Sequence, residues 1–387
     1  MKPEKVIVIG GGIGGLAFAL ALYRAGIAVE VYERAPELKE VGAGLGVWAN
    51  AVRVLNRLGA GERVRELGNA IEFAELCNDK GQTLSSMNNK QVVSDNSPSL
   101  YIMRRSDLLN LIYEQLPSDI VKTGHECARV EENEKGVTAH FANGTKTEGT
   151  ILVGADGINS IVRKTLWNDG KPRYSGQTCF RGLANFKLKD TDTLREIQGT
   201  GKRAGVCPLK NENVYWFTVV NAPEGKIIPF EERQSFLLKE FDSWLYQVPE
   251  IIAATESENI YQNDLVDRIP IKQWNKGRMT LLGDAAHPTT PNLGQGARAA
   301  IGDAMVLTRM LLQHKTHKEA FNAYEKERLA RTTRIVNLSW NFGRMAGWEN
   351  SFAVTLHELM ARATPTFLME KEFRNQVGYD AGDLPQW

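Results

Sequence analysis

The stretch from Val6 to Arg34 limits what the rest of the chain can fold into. Four β-branched apolar residues, Val6-Ile7-Val8-Ile9, run directly into a glycine cluster, the pattern of a parallel strand covered on both faces. Gly10, Gly12 and Gly15, with Ile13 and Gly14 between them, fit G-x-G-x-x-G. In that motif the first glycine allows a tight turn, the second lets backbone approach a pyrophosphate, and the third lets a helix pack close to the strand. Residues Ile13 to Arg24 read as the helix, Ala25-Gly26 as its stop, and Ala28 to Tyr32 as a second strand that delivers Glu33 and Arg34. Glu33 falls eighteen residues past Gly15, where a carboxylate accepts ribose hydroxyls and repels a 2′-phosphate. The glycine pattern alone is a weak signal. Strand, helix and acid in this order point to a bound FAD or NAD.

The remaining composition narrows the partner. A chain of 387 residues has room for two or three domains. Its formal net charge of +1 supplies no field for nucleic acid, so a small-molecule partner is expected. Cys77, Cys127, Cys179 and Cys207 are far apart and form no C-x-x-C pair, so they read as reduced core cysteines and no metal site is expected. Five glycines interrupt the apolar run from Val6 to Tyr23, which excludes a signal or membrane-spanning helix there. A cytoplasmic protein, monomer or homodimer, is expected.

Further along, Val41 to Gly46 reads as a second glycine-rich loop that follows no strand and passes close to a bound ligand through Gly44. A short helix from Asn50 to Leu58 follows. Residues 71–100 read as two edge strands. Arg104-Arg105-Ser106-Asp107 opens a helix that Ser106 can cap, with one arginine aimed at the cofactor. Val137 to Phe141 and the strand after Asn143-Gly144 read as a hairpin. Ile151-Leu152-Val153 is a buried strand ending in Gly154-Ala155-Asp156-Gly157 and, past it, Arg163. From 174 to 266 aromatic and β-branched runs surround one helix, Glu231 to Gln247, as an antiparallel sheet with a covering helix. Arg278 to Leu282 returns as a strand, then Gly283-Asp284-Ala285-Ala286-His287-Pro288 as a loop, with Gly294-Gln295-Gly296 opening a long helix. Thr316 to Met360 reads as helical, its aromatic residues packing in the core or between subunits.

Three separated motifs, Gly10 to Gly15 with Glu33, Gly154-Ala155-Asp156-Gly157 with Arg163, and Gly283 to Pro288, together resemble the group A flavoprotein monooxygenases, the FAD-dependent aromatic hydroxylases of the para-hydroxybenzoate hydroxylase fold. Arg105-Ser106-Asp107-Leu108 is similar to that family's R-x-x-L. The resemblance implies an α/β fold. A discontinuous Rossmann-like FAD-binding domain (1–70, 101–170 and 271–315) would hold an inserted, mainly antiparallel-sheet substrate domain (71–100 and 171–270), followed by a C-terminal helical segment (316–387). It implies tightly bound FAD, with Glu33 on the adenosine ribose, Arg105, Asp156 and Gly157 at the phosphate and ribityl region, and Asp284 on the ribityl chain. Pro291, Gly294, Gln295 and Gly296 would run beside the isoalloxazine, with a helix dipole aimed at its pyrimidine edge. Arg298, absent from the usual pattern, is expected to point to solvent.

The chemistry so implied is reduction of FAD by transient NADH or NADPH, then reaction with O2 to a flavin C4a-hydroperoxide that hydroxylates an aromatic or other electron-rich molecule. Arg181 and Trp216 are expected on the substrate wall, and His287 to aid deprotonation or to make a structural hydrogen bond. A flavin epoxidase or dehydrogenase of the same superfamily is the alternative. A non-catalytic flavin-fold binding protein is disfavoured by the Pro288 to Gly296 loop.

Overall fold

The computed structural model describes residues 3–38, 44–89 and 98–384. Its first layer is a parallel sheet in the order Met279–Leu281, Ile151–Gly154, Val6–Ile9, Val29–Tyr32 and Val121–Lys122. Val6, Ile7 and Val8 lie at its centre with no exposed surface, and burying each contributes about 1.5–3 kcal/mol. Helix Ile13–Arg24 covers the sheet and packs against helix Gly296–Gln313. Three glycine-motif strand ends therefore open at one edge, the carboxyl edge of a parallel sheet, where ligands of open α/β folds bind.

The second layer is a seven-stranded sheet in the order Tyr261–Asp267, Arg173–Asn185, Asn213–Asn221, Lys202–Pro208, Thr193–Gln198, Phe73–Asn78, Thr83–Asn88. All neighbours are antiparallel except Thr193–Gln198 with Phe73–Asn78. The two strands expected within 71–100 thus join the sheet formed by the later segment. Strands Thr193–Gln198 and Lys202–Pro208 were not expected: Gly205 and Pro208 disguise the second, and the first, TLREIQ, alternates too weakly. Between the layers lies a small sheet of Gly44–Trp48, Leu100–Arg104 and Asn69–Ala70. The hairpin Val137–Phe141 with Lys146–Gly149 forms as its Asn143-Gly144 turn requires.

Several boundaries differ from expectation for local reasons. The single helix over Glu231 to Gln247 is replaced by Arg233–Phe241 and Val248–Ala253. Tyr246 and Gln247 between them take φ of 60° and 64°, and Pro249 enters the second helix at its start. Helix Arg105–Tyr113 begins one residue before Ser106, with Arg104 as N-cap and no side-chain cap. The long C-terminal helix stops at His317–Ala346 and is followed by Ser351–Ala363 and Thr366–Val377. A capping box of Thr316 and Glu319 starts the first, and Asn350 caps the second by accepting from Phe352 and Ala353 N–H. Phe352 is 78% exposed, so it is not core. Among the described residues no helix is long and apolar enough to cross a membrane.

Candidate active site

The glycine turn is built by contact on two sides and open on the third. Gly10 has φ +108°, and a Cβ placed there would stand 2.3 Å from the Ala155 carbonyl oxygen. A Cβ at Gly15 would stand 2.0 Å from the Gly10 carbonyl oxygen. At Gly12 a Cβ would meet no protein atom within 4 Å, so protein packing does not require the glycine there. That matches a position reserved for close approach of a pyrophosphate. Ile13 is buried, and Gly14 faces Leu282 and Ala300, where the two core helices meet. Glu33 holds the turn with both carboxylate oxygens, accepting from Gly11 N–H at 2.7 Å and from Ala35 N–H at 2.9 Å. Arg34 is exposed.

Asp156 follows strand Ile151–Gly154, and its Oδ2 accepts from Ile161 N–H at 2.8 Å at the start of helix Ile161–Trp167. Its Oδ1 is buried without a hydrogen-bond partner among the described residues. Burial raises its carboxyl pKa above the usual range, although Ser160 and backbone N–H groups pull the other way. A buried carboxylate oxygen left unmatched is costly, and a ligand hydroxyl in reach would satisfy it. Gly157, beside it, also faces open space.

Asp284 has an exposed side chain, yet surrounding protein raises its carboxyl pKa through desolvation, with His287 and Arg105 opposing. An exposed group deep within protein mass lies on the floor of a cleft. The loop around it is braced from behind. Asp303, fully buried, takes Gly283 N–H at 3.2 Å, Arg328 Nε at 2.6 Å and His287 Nε2 at 2.5 Å. His287 is 4% exposed and also packs on Trp274. It is thereby committed to holding the loop; the role in substrate deprotonation is corrected accordingly. Arg163 joins the second and third motifs, donating to the carbonyls of Ala285 and Ala286 and pairing with Asp169.

Loop Pro291–Leu293 leads to Gly294 at φ +60°, whose carbonyl accepts from Trp48 Nε1 at 3.1 Å, and then to Gln295, the N-cap of helix Gly296–Gln313. A Cβ on Gly296 would stand 3.9 Å from Asp284 Oδ1, so the helix start and the cleft floor adjoin. Arg298 does not reach solvent as expected: it is 3% exposed. Gly44 is in a strand rather than a loop, and a Cβ there would strike the Tyr215 ring at 2.4 Å. On the side where a Cβ would project, Gly44 is therefore closed by Tyr215. Residues 41–43 of that glycine-rich run lie outside the described residues, and 45 and 46 continue the strand.

Alternation along the seven-stranded sheet decides the opposite wall. Phe180, Trp216 and Val220 belong to the core under helices Arg233–Phe241 and Val248–Ala253. Trp216 is 2% exposed and its indole N–H donates to Thr255 Oγ1 at 2.9 Å, so its expected place on the substrate wall is corrected. Its neighbours Tyr215 and Phe217 project the other way, with Leu183 and Trp48. Arg181 pairs with Phe217 in register on that face, half-buried, its Nε without a partner among the described residues. Arg105 lies close enough to influence both Tyr215 and Asp284. Sequence reading missed Tyr215 and also Arg203, which is 1% exposed and bonds Glu196 and, through Asn292, loop Pro291–Leu293. The signal existed only for Tyr215, one step out of phase with Trp216.

The cleft floored by Asp284, with open space at Gly12 and the unpartnered Asp156 Oδ1 at the same edge of the parallel sheet, fits a dinucleotide. A model of the FAD binding domain family matches residues 4–339. The chain belongs to that family. It is 36% identical over 375 residues to the aurachin C monooxygenase/isomerase of Stigmatella aurantiaca, covering 97% of this chain and 98% of the relative. It is 29% identical over 367 residues to the 2-heptyl-3-hydroxy-4(1H)-quinolone synthase of Pseudomonas aeruginosa, covering 93% and 94%. The crystal structure of Klebsiella pneumoniae HpxO with FAD and uric acid superimposes with a TM-score of 0.91 at 27% identity, covering 99% of this chain and 98% of that one. The protein is an FAD-dependent monooxygenase of the aromatic-hydroxylase type, with the fold expected from its motifs.

Proposed function

We propose that the chain hydroxylates a planar, electron-rich N-heteroaromatic molecule, using NADH or NADPH as transient reductant and O2. The aromatic sheet face of Tyr215, Phe217, Leu183 and Trp48 carries this reading, because it offers flat apolar surface opposite the cleft floor and only isolated charges within it. The relatives' names fit: one acts to make a quinolone and another holds uric acid. In this reading the parallel-sheet segments hold the cofactor and the seven-stranded sheet presents the substrate. FAD, when bound, supplies electron transfer and oxygen activation.

The chain's own residues do the rest. Glu33 receives the adenosine ribose while it holds the glycine turn, and Gly12 admits the pyrophosphate. Asp156 Oδ1, Arg105 and Asp284 orient the phosphate and ribityl region. Gly294 and Gln295 present helix Gly296–Gln313 to the flavin ring, where its dipole favours negative charge. The apolar face of Phe217 and Leu183 keeps water from the reacting atoms and holds the substrate carbon in place.

Arg181 steadies an acidic or carbonyl group of the substrate. Its replacement in Arg181→Ala removes a charge-assisted hydrogen bond of about 1.5–3 kcal/mol, so the substrate KM is expected to rise roughly 10- to 100-fold. FAD content should stay at one per chain; unchanged KM would remove the assignment. The reaction class is tested by turnover under 18O2 with a panel of quinolones, purines and phenols. One labelled oxygen in the product is expected, and oxidised product without label would establish a dehydrogenase instead.

A further inference from the structure

Among the described residues, Arg298 is a buried cation without a carboxylate of its own. It lies in the first turn of helix Gly296–Gln313, 3% exposed, and one of its guanidinium nitrogens donates to Gln295 Oε1. The other terminal nitrogen, Nη1, is buried and makes no hydrogen bond among the described residues. It borders a small cavity lined also by Asn50, Gly302, Arg328, Arg331 and Tyr379.

The carboxylates nearby are already engaged elsewhere. Asp303 is committed to Arg328 and His287. Glu327, which accepts the Tyr379 hydroxyl, is committed to Arg309. Arg331 donates to the Asn375 carbonyl and lies over the Tyr379 ring. Desolvation, then repulsion from Arg331 and Arg328, lowers the Arg298 pKa from its ordinary value. A guanidinium cannot relieve such strain by losing its proton as a lysine does. The unmatched donor of Arg298, on a buried guanidinium, calls for a ligand that accepts a hydrogen bond and carries negative charge.

We infer that the Arg298 cavity is a binding site for a small monovalent anion of halide size, held by Arg298 Nη1 with Arg331 and the Asn50 amide at its rim. The cavity has room for about one water-sized particle, which suits a halide and excludes sulfate or a nucleotide phosphate. The site lies behind the helix start and is distinct from the cleft floored by Asp284. An anion there cancels a positive charge one turn from the end of the helix presented to the flavin ring.

The test uses the FAD-loaded full chain. Chloride titrated against gluconate at fixed ionic strength should raise the thermal midpoint saturably by about 2 °C or more, sulfate should not, and Arg298→Met should abolish the rise. Crystals grown in bromide should show an anomalous peak within hydrogen-bond reach of Arg298 Nη1. Equal midpoints in chloride and gluconate, or a bromide peak found only elsewhere, would overturn the inference. If Arg298→Met fails to fold, the bromide experiment on the unaltered chain decides alone.

Discussion

Gly10→Ala and Gly12→Ala are expected to fail in opposite ways, although the two positions are two residues apart in one motif. At Gly10 the new methyl would sit 2.3 Å from the Ala155 carbonyl oxygen, on a residue with φ +108°. Clash and backbone strain add to about 3 kcal/mol or more. The variant should unfold at markedly lower urea, with or without FAD. At Gly12 the methyl meets no protein atom within 4 Å and the backbone φ is an ordinary −74°, so the apoprotein should unfold at the same urea concentration as the unaltered chain. Its FAD affinity should nevertheless fall on the order of 100-fold, since an overpacked contact costs about 1–3 kcal/mol. Flavin titration by absorbance and urea unfolding of the apoprotein separate the two effects. If Gly12→Ala binds FAD normally, the pyrophosphate does not cross that residue.

Asp303→Asn should be the most damaging change outside the glycine turn. Asp303 touches no ligand, yet it joins Arg328, His287 and the Gly283 N–H behind the Asp284 loop. Asparagine retains the shape and removes the charge, which leaves the Arg328 guanidinium, 2% exposed, buried without its counter-ion. Breaking such a pair costs about 3–5 kcal/mol, or roughly a 5–15 °C fall in thermal midpoint for a chain of this size.

The same residue sets an acid limit. Burial alone would raise the Asp303 pKa, but His287 and Arg328 outweigh it and hold the carboxyl below its ordinary range. A depressed folded-state pKa contributes stability that is complete above the unfolded carboxylate pKa and is lost as pH falls through the folded one. The unaltered protein should therefore destabilise below about pH 4, a limit set by the ordinary pKa of an aspartate in the unfolded chain. Asp303→Asn should show a shallower acid limb in a midpoint-against-pH series. Parallel acid limbs in the two proteins would show that Asp303 carries no such charge linkage.

The parallel sheet and its three ligand-facing turns were legible because their signals are local. A β-branched run, a glycine at fixed spacing and an acid at the next strand end each report on the backbone within a few residues. Asp156 and Asp284 could be singled out as candidates for the same reason, since each lies within three residues of a strand end. The wall opposite them was not legible. Trp216 and Tyr215 are adjacent and both aromatic, and only the register with Gly182 and Leu183, together with helices arriving on one side, decides which of them faces the cleft. A one-residue change of phase moves a side chain to the other face of a sheet.

By itself, then, the sequence determined the strand–turn–helix units, the dinucleotide ligand they hold and the chemical family, because those depend on steric rules that act along the chain. Tertiary structure alone decided that Gly44 makes room for Tyr215, that His287 is bound to Asp303, and that Arg298 is enclosed among Arg328 and Arg331. Each of these outcomes depends on which distant segment supplies the neighbouring surface. Burial and charge pairing belong to that assembled surface and have no periodicity in the chain that could announce them.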